Sequence, residues 1–290
     1  MRNSNKTIQA TWVLLGSLSA FCFTIISSMI LSRYFDKQDY GTYKQVLYVY
    51  NTLLVVFTLG LPKAYSFFLP RVSKAEAKSL VNKINFVLIG SGFIMSTMLF
   101  FGSDKIADLL RNEELSLLLK YFSLVPLFML PTMGLEGILA TYKKTRLLAF
   151  YTISTRILML CCVTVPVVFF KGGIDLAIIG FSIASFISFV LAINLKYYPL
   201  KNEERITTKI TYKEVLGYTL PIMFAGICGI LISSADQFFI SRYFGREIFA
   251  DFANGSLELP FITMIIGAGS LILAPIFSKE IFDKGLDARE

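Results

Sequence analysis

Eight long apolar runs divide this chain of 290 residues, and they restrict its fold more than any other feature. A run of about 18 or more residues with few charges can cross a hydrocarbon core of roughly 30 Å as a helix. With 55% apolar residues and a mean hydropathy of +0.64, the chain is more apolar than ordinary soluble domains. The sequence therefore predicts an all-α membrane protein with about eight transmembrane helices, near residues 11–33, 45–69, 84–102, 117–140, 147–170, 174–196, 215–241 and 249–277.

The basic residues predict how the runs are oriented. Arg2 and Lys6 precede the first run as in a signal peptide, but that run exceeds 20 residues and should remain as a span. With the N-terminus inside, 18 lysines and arginines fall on the inner side and 9 on the outer side. This bias predicts a multi-pass protein of the cytoplasmic membrane with both termini in the cytoplasm. The net charge of +8 is spread over the loops, which argues against a nucleic-acid partner.

Residue usage argues against most membrane enzymes. The chain has no histidine, which excludes His-dependent acyltransferases, lipid phosphatases and Ser-His intramembrane proteases. No phosphate-cradling glycine loop or paired acidic metal motif stands in a loop, so no cofactor and no metal are predicted. All four cysteines lie inside apolar runs, where they behave as small apolar residues. A membrane-embedded glycosyltransferase stays open as a less favoured alternative.

An internal repeat is indicated by the tetrapeptide Ser-Arg-Tyr-Phe, which ends spans one and seven at residues 32–35 and 241–244. The same 209-residue offset places Gly60 opposite Gly269, and it aligns three further pairs of aromatic or small residues, Tyr40 with Phe249, Gly41 with Ala250 and Tyr43 with Phe252. We therefore expect a six-helix lobe at residues 1–196, a cytoplasmic linker at 197–214, and the first two helices of a second, parallel lobe at 215–290. A full second lobe would need about 200 more residues, so either the chain is a truncated product or a fragment, or the duplication hypothesis is wrong.

These residues resemble the polysaccharide-export flippases, the Wzx-type O-antigen or capsule repeat-unit transporters of the multidrug/oligosaccharidyl-lipid/polysaccharide superfamily. In that family span one ends in an arginine pattern that closes with glycine, and an aromatic-Gly-x-Tyr motif opens span two. This chain has Arg33-Tyr34-Phe35 and then Tyr40-Gly41-Thr42-Tyr43. It departs from the pattern at Asp36 in the first copy and at Ala250 in the second. The segment LGYTLPIMFAGICGILISSADQFFISRYFG is similar to the family's seventh span.

The resemblance implies a two-lobed fold with a central cavity that works by alternating access. It implies that undecaprenyl-pyrophosphate-linked oligosaccharide repeat units are moved across the cytoplasmic membrane for surface polysaccharide biosynthesis. The implied partners are the lipid-linked oligosaccharide, membrane lipids, and possible contacts with a polysaccharide polymerase and glycosyltransferases. A cation-coupled multidrug exporter of the same superfamily is the alternative.

Arg156 is the most informative single charge, because it lies about 13 Å into span five at 1.5 Å per residue. Thr152 and Thr155 are near it in sequence and extend a polar stripe that must face protein or water. Two interpretations stay open for Arg156: an ion pair with Glu136 of span four, or a place in a cavity that receives the substrate. A pyrophosphate crossing lipid needs cationic partners, and the guanidinium fork matches phosphate oxygens.

Three other charged residues are weaker candidates. Arg33 ends span one, where it could contribute to the substrate cavity or simply reach the lipid headgroups. Asp236 and Glu258 fall within spans seven and eight, and they are candidates for coupling transport to an ion or for structural pairing.

Overall fold

The computed structural model describes residues 2–204, 206–256 and 261–283, and within these ranges the chain is helical and has no strand. Side chains are described from residue 8 onward, apart from residues 205, 257–264, 268 and 280–290. The α-helices in chain order are α1 (Arg2–Tyr34), α2 (Lys37–Phe57), α3 (Leu61–Phe68), α4 (Lys74–Leu110), α5 (Glu114–Phe122), α6 (Val125–Met129), α7 (Leu135–Thr141), α8 (Thr145–Phe170), α9 (Ile174–Tyr197), α10 (Tyr212–Tyr243), α11 (Gly245–Gly255) and α12 (Phe261–Asp283).

The predicted all-α membrane architecture is confirmed. Six segments of the described chain are long and apolar enough to cross a membrane, and a bent pair of helices would make a seventh. Predicted spans one, three, five, six and seven correspond to α1, α4, α8, α9 and α10. The predicted eighth span corresponds to α11 and α12, between which residues 257–260 are outside the described residues. The prediction of about eight spans is thus roughly consistent with the structure.

Spans two and four are broken, which the apolar runs alone did not predict. In span two, Leu59 and Gly60 adopt left-handed backbone angles, and α2 meets α3 and the following turn at 45°. In span four, α5, α6 and α7 follow one another around a 3₁₀ turn at Leu130–Thr132. Breaks at membrane depth are tolerated where neighbouring protein covers the freed backbone groups. Here α3 and α7 pack on each other, so the two breaks lie side by side in the interior.

Ends of helices support the 209-residue repeat. Helix α1 ends at Tyr34 and α10 ends at Tyr243, which are 209 residues apart. Arg33 and Arg242 both lie in the last turn of their helices, as the repeat predicts. The lobe and linker boundaries at residues 196, 197 and 214 stay a prediction.

Reciprocal contacts join the two copies where α2 packs on α11. Gln38 donates to Glu247, its own counterpart in the repeat, at 2.7 Å. Lys37 forms an ion pair with Asp251 at 3.0 Å, and the counterparts of these two residues, Arg246 and Thr42, meet at 3.5 Å. When residue i contacts j and the counterpart of j contacts the counterpart of i, a two-fold axis relates the two surfaces. The repeats are therefore related by a pseudo-two-fold axis through this interface.

A glycine allows the two copies to approach closely at this interface. A Cβ atom at Gly41 would overlap the backbone carbonyl oxygen of Arg246. Around this contact, Tyr40 donates to Asn254 at 2.7 Å and the buried Gln45 donates to Ser241 at 2.8 Å. The contacts of α2 with α11 and with the end of α10 thus form a polar layer on the predicted outer side, and we call it the two-fold layer.

Candidate functional site

The break before α7 shapes the wall of the candidate site. Gly134 has φ +79°, a conformation that L side chains rarely adopt, and a Cβ there would overlap the ring of Tyr65. Tyr65 is fully buried, so α3 packs directly against the break. The turn leaves Met133, Gly134 and Glu136 facing the interior, opposite α8.

Arg156 lies near the middle of α8 and lines three adjoining cavities. One, of about 270 Å³, also contains Ser188 and is called the serine chamber. A second, of about 330 Å³, contains Tyr50 and is called the tyrosine chamber. The third, of about 400 Å³, lies between α1 and α8 and is called the α1 chamber. The Arg156 guanidinium is thus surrounded by open interior space on several sides.

Arg156 forms no ion pair or hydrogen bond with any residue that the structure describes, and the same holds for Glu136. The two residues share the serine chamber and the α1 chamber without pairing, so the ion-pair alternative is not formed. Tyr50 and Tyr151 lie within electrostatic reach of the guanidinium. An arginine without a carboxylate partner in an apolar protein is costly, and such residues mark functional sites by default.

The two threonines of the predicted stripe both line chambers that Arg156 lines. Thr152 lines the serine and α1 chambers, and Thr155 lines the serine chamber. The Thr155 hydroxyl donates to the Tyr151 carbonyl at 2.8 Å, so its donor capacity is used within α8.

A larger cavity of about 580 Å³ lies between the repeats and is called the inter-repeat cavity. Helices α1, α3 and α7 form one wall, and α10 and α12 form the other. Lys63, Ser66 and Glu136 supply polar groups, and Tyr218 supplies an aromatic surface. Glu136 and Ser17 line both this cavity and the α1 chamber, so the Arg156 site adjoins the space between the repeats.

Lys196 anchors a second polar cluster next to the site. It is fully buried, and its Nζ donates to Asn85 Oδ1 at 2.8 Å and to the Met133 carbonyl at 2.6 Å. Tyr65 also donates to Asn85 Oδ1, at 2.8 Å, and Asn85 Nδ2 donates to Tyr197 at 3.3 Å. In the sequence, Lys196 is an ordinary inner-side charge at the end of span six. Only the tertiary fold shows that it holds the backbone of the α7 break.

Asn85→Leu is expected to destabilise the protein by about 3 kcal/mol, because it leaves the buried Lys196 charge with fewer acceptors. The readout is the thermal unfolding midpoint of the purified protein in detergent. Asn194→Leu is the matched control, since Asn194 is exposed on α9 and bonds only to the Val190 carbonyl within its helix. Equal midpoints for the two variants would contradict a stabilising role for the cluster.

The structure places two of the remaining predicted residues, Arg33 and Asp236, away from Arg156. Arg33 is exposed at the end of α1 and lines a separate surface depression with Tyr34 and Val168. Asp236 is exposed on α10, where its carboxylate accepts from the Gln237 backbone at 2.7 Å. Glu258 lies outside the described residues. Neither Arg33 nor Asp236 joins the cluster that Arg156, Glu136, Thr152 and Thr155 form around the chambers.

Apolar spanning helices, two broken spans and cavities that hold charged residues define the class: a multi-pass helical membrane protein with polar cavities among its helices. Residues 8–280 match the family described as "Polysaccharide biosynthesis protein", so the chain belongs to this family. No curated protein matches the chain in sequence.

Solved structures of MATE transporters share the fold. A mutant form of the Vibrio cholerae MATE transporter VcmN superposes with a TM-score of 0.76 at 17% identity, covering 98% of this chain and 67% of that one. The MATE multidrug transporter DinF-BH, solved as a complex, gives a TM-score of 0.75 at 14% identity, with 95% and 66% coverage. At such identities the likeness shows a MATE-like fold alone. The chain spans about two thirds of the length of these structures.

Proposed function

We propose that this protein translocates undecaprenyl-pyrophosphate-linked oligosaccharide repeat units across the cytoplasmic membrane by alternating access. The family supports a role in polysaccharide biosynthesis, and the fold supports a transporter of the multidrug/oligosaccharidyl-lipid/polysaccharide superfamily rather than an enzyme. One observation carries the choice of an anionic substrate: the Arg156 side chain is exposed to three cavities and has no carboxylate partner among the described residues.

The electrostatics of the chambers fit a phosphate-bearing substrate. A bare anion in a low-dielectric interior is heavily penalised, and a planar guanidinium compensates it with paired hydrogen bonds. Lys63 of the inter-repeat cavity adds a second cation on the path to Arg156. The predicted partners in the cell are the lipid-linked oligosaccharide itself, the surrounding lipids, and a polymerase and glycosyltransferases that act before and after the translocation step.

A cation-coupled multidrug exporter is the second candidate, favoured by the MATE structures and by the unpaired Glu136 carboxylate. A carboxylate in a membrane cavity can hold a cationic drug or a coupling ion. Asp236 and Glu258 would then be the candidate coupling residues, as the sequence suggested.

Deletion of the gene distinguishes the two candidate functions, flippase and multidrug exporter. For the flippase, loss of the protein should deplete surface polysaccharide and accumulate lipid-linked repeat units in the inner leaflet, and the wild-type gene should restore both. For the exporter, deletion should leave both unchanged and should sensitise cells to cationic drugs. Normal surface polysaccharide in the deletion strain would refute the flippase proposal.

The orientation with both termini in the cytoplasm stays a prediction of the basic bias, and cysteine labelling can test it. In a background with the four native cysteines replaced by alanine, Asp108→Cys and Gly173→Cys should react with an impermeant maleimide added outside intact cells. Lys144→Cys and Lys201→Cys should react only after the cells are opened. All four positions are exposed, so accessibility depends on the side of the membrane. The reverse labelling pattern would overturn the orientation.

A further inference from the structure

The two arginines of the repeated tetrapeptide, Arg33 and Arg242, have different surroundings. Arg242 donates to the Leu109 carbonyl, and its guanidinium carbon lies 5.7 Å from the centroid of the Tyr243 ring. Arg33 is exposed at the end of α1 and forms no ion pair or hydrogen bond with any residue that the structure describes. The repeat thus places equivalent cations at two helix ends, and of the two, Arg242 is bound within the protein.

Arg33 instead borders a surface depression of about 710 Å³ between the outer parts of α1 and α8. Ile26 lies seven residues before Arg33, which is about 10 Å deeper along the helix at 1.5 Å per residue. The lining changes from apolar to polar toward the predicted outer surface, from Ile26, Met29, Ile30 and Val168 to Arg33 and Tyr34. A phospholipid has the same order of polarity, with acyl chains below a charged headgroup.

The apolar floor of the depression is open. Met29 is 63% exposed and Ile26 is 42% exposed, so the described chain does not cover this face. Because α1 is long and apolar enough to span a membrane, the medium at this depth is hydrocarbon. Tyr34 is 55% exposed at the helix end, as is typical of aromatic side chains at headgroup level. The depression therefore opens to the lipid of one leaflet, which is the outer leaflet in the predicted orientation.

Charges at the rim favour a headgroup with net negative charge. The planar guanidinium fork of Arg33 matches phosphate oxygens. Lys171 follows α8, three residues after Val168, and it is exposed without an ion pair to the described residues. The nearest carboxylate in sequence, Asp36, accepts from the Asp39 backbone N–H at 2.7 Å as the N-cap of α2. A zwitterionic headgroup would bring a further cation to this rim, so an anionic lipid fits it better.

We propose that the depression between α1 and α8 is a binding site for an anionic phospholipid of the outer leaflet. The lipid phosphate accepts hydrogen bonds from Arg33, and an acyl chain lies along Met29 and Ile30. Because the lipid contacts both helices, it stabilises their packing at this end. The depression is separate from the chambers around Arg156, so the inference goes beyond the proposed function and does not depend on it.

A tryptophan placed in the depression reports which lipid occupies it. The chain has one tryptophan, so Trp12→Phe removes the native fluorescence and Met29→Trp places a single fluorophore on the floor of the depression. The purified protein is reconstituted in dioleoylphosphatidylcholine vesicles with increasing fractions of brominated phosphatidylglycerol, whose bromine atoms quench tryptophan on contact. Phosphatidylglycerol should bind here about five-fold more tightly than phosphatidylcholine, as expected for one basic residue at an anionic headgroup.

Arg33→Gln in the reporter protein should lower this preference below two-fold, whereas Arg33→Lys should keep it because the ammonium retains the charge. Arg242→Gln is the matched control, since Arg242 is the counterpart of Arg33 but binds the Leu109 carbonyl. Its preference should equal that of the unchanged reporter. A second reporter, Phe93→Trp, lies 61% exposed on α4, where no charge occurs between residues 84 and 103, and it should show no preference.

Equal quenching by the two lipids at Met29→Trp, or an unchanged preference in Arg33→Gln, would overturn the phospholipid site. The transported lipid is another source of phosphate, and competition separates the two. Recovery of fluorescence on addition of undecaprenyl pyrophosphate, at a mole fraction far below that of phosphatidylglycerol, would also overturn the site, because the depression would then hold the transported lipid. None of these measurements uses export, so their outcome is independent of the gene-deletion experiment.

Discussion

Arg156→Gln should reduce surface polysaccharide at least ten-fold while leaving the amount of folded protein in the membrane unchanged. The side chain makes no ion pair or hydrogen bond with the described residues, so its loss removes no internal contact of that kind. On the proposed function, what is lost is the positive charge that meets the substrate phosphates, and loss of a hydrogen-bonded charge partner that is buried in a complex costs about 2–5 kcal/mol. Arg156→Lys should show an intermediate loss, because an ammonium keeps the charge but not the planar fork.

Arg146→Gln is the matched control for this charge removal. Arg146 lies on the same helix, near its start, and stacks over the Trp12 ring at 5.1 Å, away from the chambers. Export by this variant should stay within two-fold of wild type, by analogy with exposed cation–π contacts of about 0.5–1 kcal/mol. Surface polysaccharide and inner-leaflet lipid-linked units would be measured in deletion cells that carry each variant. Normal export by Arg156→Gln at normal abundance would leave Arg156 as a structural residue.

Gly134→Val should destabilise the protein by about 3 kcal/mol or more and reduce its folded yield. The left-handed backbone at this position costs about 1–3 kcal/mol for a residue with a side chain, and a β-branched residue is the worst case. Overlap with the buried Tyr65 ring adds a packing penalty of about 1–3 kcal/mol, because the ring is enclosed on all sides. Both effects act at the break that faces Arg156, so export should fall with the yield.

Gly90→Ala separates this effect from a general intolerance of glycine replacement. Gly90 lies within α4, and a Cβ there meets no atom within 4 Å. That variant should match or slightly exceed wild type in unfolding midpoint, since alanine is the better helix former. Fluorescence-detected size-exclusion chromatography would give the folded yields. A wild-type yield for Gly134→Val would mean that the break can relax without loss.

Long apolar runs predict where the helices are, because lipid imposes a length and a polarity that sequence displays directly. They do not predict the breaks. Leu59, Gly60, Met133 and Gly134 are apolar or small, so the runs continue through them without a change of hydropathy. The breaks depend instead on tertiary packing, such as the contact of Gly134 with the Tyr65 ring.

Depth in the membrane made Arg156 a candidate site residue, since a central charge is conspicuous in any apolar run. Its neighbours were less visible. Ser188 belongs to a serine stripe that is typical of a helix-packing surface, and only the structure shows that its hydroxyl lacks the bond that Ser185 makes. Tyr50 likewise is one aromatic among many in the sequence. Lys196 resembles a loop cation because its acceptors come from α4 and from the Met133 turn, which are distant in sequence.

The two-fold layer is not symmetric in its side-chain contacts. In a symmetric pair every contact would occur twice, yet here Lys37 pairs with Asp251 at 3.0 Å while the mirrored contact joins Arg246 to a threonine at 3.5 Å. Arg246 instead donates hydrogen bonds to Glu114 and Gln38, which are not partners of Lys37. The two copies thus make different contacts at one interface, as the subunits of a heterodimer do. Substitutions at the equivalent positions Lys37 and Arg246 are therefore expected to have different consequences.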